Sequence, residues 1–442
     1  MGTLLGERKN ASRDNVEGLI VFAVISGRTQ TEEKMRKGTV GTMQVDYEER
    51  INFDRLRQER LEKIEQAMEK TNLGSLLLFD PGNKRYATST AVASPEVDQM
   101  GRYAILPRRG KPHIFGFGSE VAAEKLYCPW IAERAFPAHT TMMGALPKNF
   151  RAGESFIKDV LMVLKEYRVE KEPIGIDMID AQLMLALQEA GFKIGDGQDV
   201  MLEARSVKTE DEIMILRQAA ATVDAAFDRM ASAMKPGIRE NDLQAEASYV
   251  LHTLGAQWVI NVQITSGPRT HPHPHLSSDR VLQPGDLVFA DIVALLNGYH
   301  TCYYRTLCLG PSSAKQREMY KRTYDMLQRG LKMMRPGHTT ADVCGVWPDA
   351  KYWGFENESQ AFGLAFGHGV GVGLWERPVI HRLYSMDHPV ELKKGMVIAI
   401  ETYDGEGVDG ARIEEMVVIT DGDPEVISKF PCSELISCGC KY

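Results

Sequence analysis

Three stretches in the second half of the chain place ionisable side chains inside apolar runs. LVFADIV contains Asp291, GMVIAIE contains Glu401, and GARIEEMVV contains Glu414. An ionised carboxylate inside such a strand is expensive to bury unless a cation or an ion-pair partner compensates it. A glycine-flanked histidine, His368 in FGHGVGVG, accompanies them. The four side chains are better explained by one shared centre than by unrelated salt bridges.

A cysteine lies in an aromatic stretch, NGYHTCYYRTL, that follows a predicted hairpin. Because side chains alternate along a strand, His300, Cys302 and Tyr304 are expected on one face, and Arg305 on the other. Cys302 has three interpretations: a small buried hydrophobe, a metal ligand, or a nucleophile that a nearby histidine activates. The stretch alone leaves all three open.

The segment THPHPHLSS is extended around its prolines and contains His271, His273 and His275. We expect His271 and His273 to be exposed loop residues, with His271 a candidate for substrate contact. The segment precedes the strand of Asp291, so its histidines belong to the same half of the chain as the proposed centre.

The elements that must position these residues alternate between strand and helix patterns. A helix is predicted from Phe53, and SLLLFDPGN predicts a buried strand and a turn. Thr209 and Glu212 have the spacing of a capping box, which predicts a new helix that ends at MKPG. We expect an α/β protein with an N-terminal arm over 1–50, a first domain over 51–203 and a second over 204–442.

Two similar segments, MKPGIRENDL at 234–243 and MRPGHTTADV at 334–343, lie 100 residues apart. Each follows a helical pattern and would begin another helix. The repeat predicts a second domain with pseudo-twofold symmetry.

Composition excludes several classes of protein. The chain has 442 residues, of which 43% are hydrophobic and 25% charged, and a net charge of -8, which argues against nucleic acid as a partner. Its apolar runs are shorter than the roughly 20 residues of a membrane span, so no membrane partner is expected. Seven scattered cysteines without a CxxC pair predict a reduced, cytoplasmic protein.

These motifs, in this order, resemble the pita-bread superfamily of methionine aminopeptidase, prolidase and creatinase. The resemblance covers roughly 205–435, and PHLSSDRVLQPGDLVFAD, GHGVGVGLWERP and GARIEEMVVIT carry it. It implies a C-terminal pita-bread domain preceded by a creatinase-type N-terminal α/β domain. The chain is most similar in character to the small-molecule branches: creatinase, ectoine hydrolase and dimethylsulfoniopropionate lyase.

The resemblance also implies roles for individual residues. Asp291, His368, Glu401 and Glu414 match four of the five metal ligands of the peptidases, and His275 matches their catalytic histidine. The fifth ligand, a second Asp, should stand eleven residues after Asp291, where the chain has Cys302. A second departure is Trp375, where the peptidases usually have histidine. Cys302 could join the metal ligands as a thiolate, but one sulfur cannot span two ions as a carboxylate does.

We therefore expect a hydrolase that cleaves a C–N bond in a small polar nitrogen-containing substrate, with one divalent metal (Zn, Fe or Mn) or none. His275, Glu401, Glu414, His300 and Tyr304 are the predicted catalytic residues, and Trp375, Arg305 and His271 the predicted substrate contacts. The alternatives are an Xaa-Pro dipeptidase or aminopeptidase with a reduced metal site, a dimethylsulfoniopropionate lyase-like enzyme, and a non-catalytic binding module. The resemblance also implies a homodimer.

Overall fold

Three β-sheets flanked by helices make up the described part of the chain. The computed structural model describes residues 51–361, 363 and 366–439, with the side chains of residues 95 and 96 excepted. The arm predicted over 1–50 lies outside these residues. The mixed α/β architecture agrees with the predicted fold class.

The first sheet has six strands in the order β4-β3-β2-β1-β5-β6. Its strands are β1 Ser75–Leu78, β2 Tyr103–Pro107, β3 His113–Gly116, β4 Ala135–Pro137, β5 Ile174–Ile176 and β6 Ile194–Asp196. The accompanying helices are α1 Phe53–Glu69, α2 Pro81–Thr88, α3 Pro95–Gly101, α4 Gly118–Tyr127, α5 Ala152–Glu166, α6 Ala181–Glu189 and α7 Gly197–Ser206, with short 3-10 turns at Ala132–Arg134 and Lys148–Phe150.

Helix α1 and strand β1 show how local sequence produces this layer. In α1 the side chains of Leu56, Ile64 and Met68 are buried on one face, and Asn52 caps the helix by accepting from the backbone N–H of Arg55. All four residues of β1 are buried, as a continuous apolar run in a central strand requires. The predicted helix and the buried strand are confirmed, but the turn predicted at DPGN was wrong, because Asp80 caps helix α2, which begins at Pro81.

Helix α8, Glu210–Ala233, follows the first sheet. The Thr209 hydroxyl accepts from the backbone N–H of Glu212, and the Glu212 carboxylate accepts from the backbone N–H of Thr209. The predicted capping box is confirmed, as is the end of the helix at Met234. The domain boundary predicted at 203/204 falls inside α7 and stays a prediction.

The second half contains the other two sheets. One has the order β16-β10-β8-β7, with β9 paired to β8, and the other the order β12-β11-β13-β14-β15. The strands are β7 Trp258–Ser266, β8 Leu287–Leu296, β9 Tyr299–His300, β10 Tyr303–Leu309, β11 Phe366–Gly369, β12 Glu376–Ile380, β13 Val397–Glu406, β14 Asp409–Val418, β15 Glu425–Val426 and β16 Ile436–Cys438. The helices are α9 Glu240–Thr253, α10 Ala314–Leu331, α11 Thr340–Gly345 and α12 Arg382–Ser385, with 3-10 turns at Gly267–Arg269 and Ala350–Trp353.

The two sheets repeat one arrangement. Arg239, at the start of α9, forms an isolated bridge with Val281, and Thr339, at the start of α11, forms one with Glu391. The segment after the first bridge leads into β8 and the segment after the second into β13. Asp291 and Glu401 consequently occupy equivalent positions in the two halves, in keeping with the predicted pseudo-twofold symmetry.

A threonine joins the two sheets. The Thr306 hydroxyl, on β10, donates to the backbone carbonyl of Arg412 and accepts from its backbone N–H, both at 2.9 Å. Because Arg412 lies on β14, this tie holds the Cys302 segment beside the strand that carries Glu414.

Among the described helices, none has the length and apolar character of a membrane span.

Glu376, the first residue of β12, is buried among cations. Its carboxylate lies 2.8 Å from Lys208 Nζ and 3.2 Å from Arg205 Nε, and accepts from the backbone N–H of Gly373 at 2.8 Å. Arg205 and Lys208 belong to the segment between the first sheet and α8, so the contact fixes the Gly373–Glu376 loop to that segment.

The variant Glu376→Ala should lower the free energy of unfolding by about 3–5 kcal/mol, because two buried cations would lose their counter-charge. Urea unfolding followed by circular dichroism measures the change. The matched control is Lys394→Ala, which removes an exposed pair with Asp421 and should change stability by less than about 1 kcal/mol. Equally small changes in the free energy of unfolding in both variants would show that the buried contact of Glu376 does not stabilise the fold.

Candidate active site

Three carboxylates meet where the two sheets of the second half adjoin. Asp291 lies at the centre of β8, and Glu401 on β13 is directly opposite Glu414 on β14. Their exposed fractions are 8%, 6% and 0%. Strand alternation therefore turns all three acids inward, as the apolar runs around them predicted.

Few protein groups compensate these acids. Asp291 Oδ2 accepts from Gln263 Nε2 at 2.6 Å, and Glu401 Oε2 lies 3.6 Å from a terminal nitrogen of Arg412. Asp291 Oδ1, Glu401 Oε2 and Glu414 Oε1 are buried without a hydrogen-bond partner. Three acids facing one arginine leave an excess of negative charge that the described side chains do not balance.

The pKa values of the acids reflect this environment. Burial raises the pKa of Asp291 to about 6 and that of Glu401 to about 8, and Arg412 opposes both increases. Burial, followed by the charges of Glu401 and Asp291, raises the pKa of Glu414 well above its usual range. The ionised forms are unfavourable here without an added cation.

His368 and Cys302 complete the cluster. The ligand atoms of Cys302, His368 and Glu414 all lie within 4.8 Å of one another. Cys302 Sγ is 3.7 Å from Glu414 Oε2, and His368 Nε2 is 3.9 Å from Glu414 Oε1. Cys302 faces the site on the same side as Val293 and Ala399, which it contacts.

The histidine and the cysteine are uncharged in this environment. Burial lowers the pKa of His368 to about 4, although the carbonyls of Gly369 and Leu374 oppose the shift. Burial, followed by the charge of Glu414, raises the pKa of the Cys302 thiol well above its usual range. His368 Nδ1 lies 2.9 Å from the carbonyl of Gly369, which can only accept, so this nitrogen carries the proton and Nε2 presents a lone pair to the cluster.

These residues fit a divalent cation. Buried carboxylate oxygens without partners, a neutral imidazole lone pair and a thiol sulfur converge on one region. Such donors suit zinc, ferrous iron or manganese, with sulfur favouring the first two. Of the predicted metal ligands, Cys302, His368 and Glu414 are brought within 4.8 Å of one another, and the charges of Asp291 and Glu401 act on Glu414.

A tryptophan covers one side of the cluster. The ring of Trp375 stacks on His368, with centroids 5.0 Å apart and an interplanar angle of 3°, while 56% of the residue is exposed. Because Glu376 is fixed by Lys208 and Arg205, the neighbouring Trp375 is held at the entrance of the site. This position suits the predicted wall of a small pocket.

The histidine segment borders the other side. The His273 ring lies 4.0 Å from the His275 ring and 4.6 Å from Phe289, whose ring contacts Tyr304 at 5.2 Å. Burial, followed by the charge of Arg412, lowers the pKa of His273 to about 2 and lowers that of His275. His271 and His273 are both half-buried, so the expectation that they are exposed loop residues was wrong.

His271 and Tyr304 also border the site. His271 Nδ1 contacts the hydroxyl of Tyr403, a residue on the same face of β13 as Glu401. Tyr304 pairs directly with Asp291 across the β8–β10 ladder, so its side chain lies on the side of the sheet that carries the carboxylates.

Two predicted residues do not join the cluster. Arg305 is fully buried, bonded to Glu415 at 2.8 Å and to the carbonyl of Phe430 at 2.8 Å, beneath the strand that carries Glu414. His300 donates its backbone N–H to the carbonyl of Gly371; burial lowers the pKa of its ring, and the charges of Glu376 and Asp80 oppose the shift. Both residues support the elements around the site, and neither lies among the ligand atoms.

Arg412 is a site residue that sequence reasoning missed. It shares a face of β14 with Glu414, its guanidinium is 3.6 Å from Glu401, and it lies over the Tyr403 ring at 4.6 Å. Its Nε is buried without a partner. The signal was its position two residues before Glu414, because period-two alternation turns both side chains the same way.

Comparison with known proteins identifies the class of protein to which this fold and cluster belong. The model of metallopeptidase family M24 matches residues 214–421. The probable dipeptidase PepE of Mycobacterium tuberculosis is 31% identical over 264 residues, which are 58% of this chain and 67% of that protein. The chain belongs to metallopeptidase family M24.

Other curated relatives carry different activities in their names. The Xaa-Pro dipeptidase of Pyrococcus furiosus is 32% identical over 238 residues, 52% of this chain and 65% of that protein. The match thus spans slightly less than two thirds of that relative. The dimethylsulfoniopropionate lyase DddP of Roseovarius nubinhibens is 25% identical over 401 residues, 86% of this chain and 87% of the lyase.

A solved structure shows the same fold over most of the chain. The Xaa-Pro dipeptidase of Bacillus anthracis superposes with a TM-score of 0.70 at 22% sequence identity, covering 86% of this chain and 99% of the dipeptidase. The pita-bread domain preceded by an N-terminal α/β domain is therefore confirmed.

Adding Zn²⁺ or Mn²⁺ to chelator-treated protein should raise its melting temperature, because the ion compensates buried carboxylates in the folded state. At 100 times the dissociation constant, binding stabilises by about 2.7 kcal/mol. Differential scanning calorimetry measures the rise, which Glu414→Gln should reduce. Glu425→Gln, which alters a surface acid paired with Arg217, should leave it intact. An unchanged melting temperature in the unmodified protein would contradict a metal site here.

Proposed function

We propose that the protein is a metal-dependent hydrolase that cleaves a C–N bond in a small polar nitrogen-containing substrate. The observation that carries the proposal is the buried cluster of Asp291, Glu401 and Glu414 beside His368, with carboxylate oxygens that lack partners. Membership in family M24 supports hydrolysis as the reaction type. The cysteine at 302 and the tryptophan at 375 distinguish this site from a standard peptidase pattern.

The ion is proposed to bind among the side chains of Asp291, His368, Glu401, Glu414 and Cys302, with His368 and Glu414 at its centre. A divalent ion there supplies Lewis-acid activation of water and of the bond to be cleaved. The protein residues around it would orient the substrate and move protons. His275 is more exposed than His273 and neutral near pH 7, so it can exchange a proton with the leaving nitrogen.

The substrate is proposed to carry a carboxylate. Arg412 presents a buried Nε without a partner, and His271 and His273 border the same side of the site. Trp375 limits the size of the substrate on the opposite side through its stack on His368. Creatine-like and ectoine-like compounds have a carboxylate and a C–N bond in a molecule of suitable size.

Xaa-Pro dipeptide hydrolysis is the second candidate, since dipeptidases are among the relatives and a dipeptide also has a terminal carboxylate. A dimethylsulfoniopropionate lyase-like elimination is a third alternative, supported by the long match to DddP. A non-catalytic binding module is the least supported, because four of the five expected ligand positions are retained. The cytoplasmic homodimer expected from the sequence belongs to the same proposal.

A substrate panel tests these candidates. Protein loaded with Zn²⁺, Fe²⁺ or Mn²⁺ is assayed for release of urea or ammonia from creatine-like and ectoine-like compounds, for Gly-Pro cleavage and for dimethyl sulfide release. We expect C–N hydrolysis of a small substrate, lost in Glu401→Gln. Exclusive Gly-Pro cleavage would favour the dipeptidase, and dimethyl sulfide release would favour the lyase. Elemental analysis of the same samples shows whether activity follows metal content.

If Arg412 binds the substrate carboxylate, Arg412→Met should raise KM by about 10-fold to 100-fold, which corresponds to loss of a charge-assisted hydrogen bond of roughly 1.5–3 kcal/mol. The effect on kcat should be smaller. Arg322→Met is the matched control, because Arg322 pairs with Asp404 at 2.7 Å outside the cluster. A loss confined to kcat would assign Arg412 to the chemical step instead.

A further inference from the structure

We infer that Cys302 is a metal ligand, and that Cys302, His368 and Glu414 together hold one ion per chain, zinc or ferrous iron. The inference rests on the metal site of the proposed function but is independent of the substrate. Four features of the cluster support it: distance, orientation, charge and donor number.

The distances are close to those of a bound ion. With metal–sulfur and metal–nitrogen or metal–oxygen lengths of about 2.3 and 2.1 Å, a tetrahedral site separates its donors by roughly 3.3–3.6 Å. Cys302 Sγ lies 3.7 Å from Glu414 Oε2, and His368 Nε2 lies 3.9 Å from Glu414 Oε1. All three ligand atoms lie within 4.8 Å of one another, so a contraction of at most about 1 Å would bring them to ligand spacing.

The orientation of the donors favours a cation between them. His368 Nδ1 is engaged by the carbonyl of Gly369, so Nε2 directs its lone pair toward the Glu414 carboxylate. Glu414 Oε1 is fully buried and has no hydrogen-bond partner. If Cys302 were only a packing residue, its thiol could donate a hydrogen bond to Glu414 Oε2 alone. Glu414 Oε1 would then face the lone pair of His368 Nε2 without a cation between them.

The charges balance for a single divalent ion. A thiolate at 302 and the Glu414 carboxylate neutralise one divalent cation, and the thiol proton leaves to solvent when the ion binds. Glu401 is already paired with Arg412 at 3.6 Å, and Asp291 is held by Gln263. A single sulfur at position 302 cannot span two ions as the two oxygens of a bridging carboxylate do, so Cys302 favours one ion over two.

The number of donors leaves room for chemistry. Three protein ligands and an open fourth position are the arrangement of catalytic zinc sites, whereas structural sites use four protein ligands. A soft sulfur donor shifts preference toward zinc and ferrous iron and away from manganese and magnesium. Zinc or ferrous iron is therefore expected to bind more tightly than manganese.

Cobalt spectroscopy on the full chain tests the inference. Co²⁺ bound to a thiolate produces a sulfur-to-cobalt charge-transfer band in the near ultraviolet, which carboxylate and imidazole ligands do not produce. We expect this band in the unmodified protein with one equivalent of Co²⁺. It should disappear in Cys302→Ser and persist in Cys308→Ala, a matched control because Cys308 is a buried cysteine of the neighbouring strand that belongs to a different apolar cluster.

Metal stoichiometry provides the second measurement. Elemental analysis should find one zinc or iron per unmodified chain and two metals per chain in Cys302→Asp, which restores a carboxylate. Stoichiometric Co²⁺ binding without the charge-transfer band, two ions in the unmodified chain, or no binding at all would each overturn the inference. The Co²⁺ spectrum of the unmodified protein tests the inference even if the Cys302→Ser variant fails to fold. None of these readouts depends on turnover, so an inactive substrate panel with a normal cobalt spectrum would reject only the proposed reaction.

Discussion

The burial of three carboxylates where two sheets adjoin is the constraint on which the rest of this structure depends. Asp291, Glu401 and Glu414 lie in central strands whose other inward side chains are apolar, so solvent cannot stabilise their charge. Burial raises their pKa values, and Arg412 is the cation nearest to Glu401. A bound metal is the compensation that the geometry accommodates. The supporting contacts of Thr306, Arg305 and Glu376 hold the strands and loops that keep these acids in place.

Family membership and donor chemistry supply different kinds of information about this centre. The match to family M24 and the superposition on a dipeptidase establish the architecture and the location of the site. The type of side chain at position 302 bears on how many ions the site can hold, because one sulfur atom has a shorter reach than the two oxygens of a bridging carboxylate. Trp375 is a second position at which the side chain shapes the site, because its indole stacks on the imidazole of His368. Relatives with different names therefore share the scaffold without sharing a substrate.

Much of the fold and the donor set could be predicted from local patterns. The capping box of Thr209 and Glu212, the buried strand β1 and the repeated Pro-Gly segments all depend on neighbours within a few residues, and the structure contains each of them. The placement of Cys302 on the carboxylate side follows from strand alternation. The position of the arm over 1–50 and the domain boundary at 203/204 stay predictions, as do the catalytic roles of individual residues.

The sequence by itself determined which residue types would have to be compensated in the interior, since an acid inside an apolar strand implies a partner wherever the strand folds. Only the tertiary structure decided which partners they have. Arg412 approaches Glu401 across the β13–β14 pair, Arg305 points into the opposite layer toward Glu415, and Cys302 meets His368 and Glu414 from another sheet. The contacts of Arg305 and Cys302 join residues that are distant in the chain, and their geometry depends on how two sheets twist and pack together. Local periodicity specifies a face of a strand, but the neighbours of that face are set by packing.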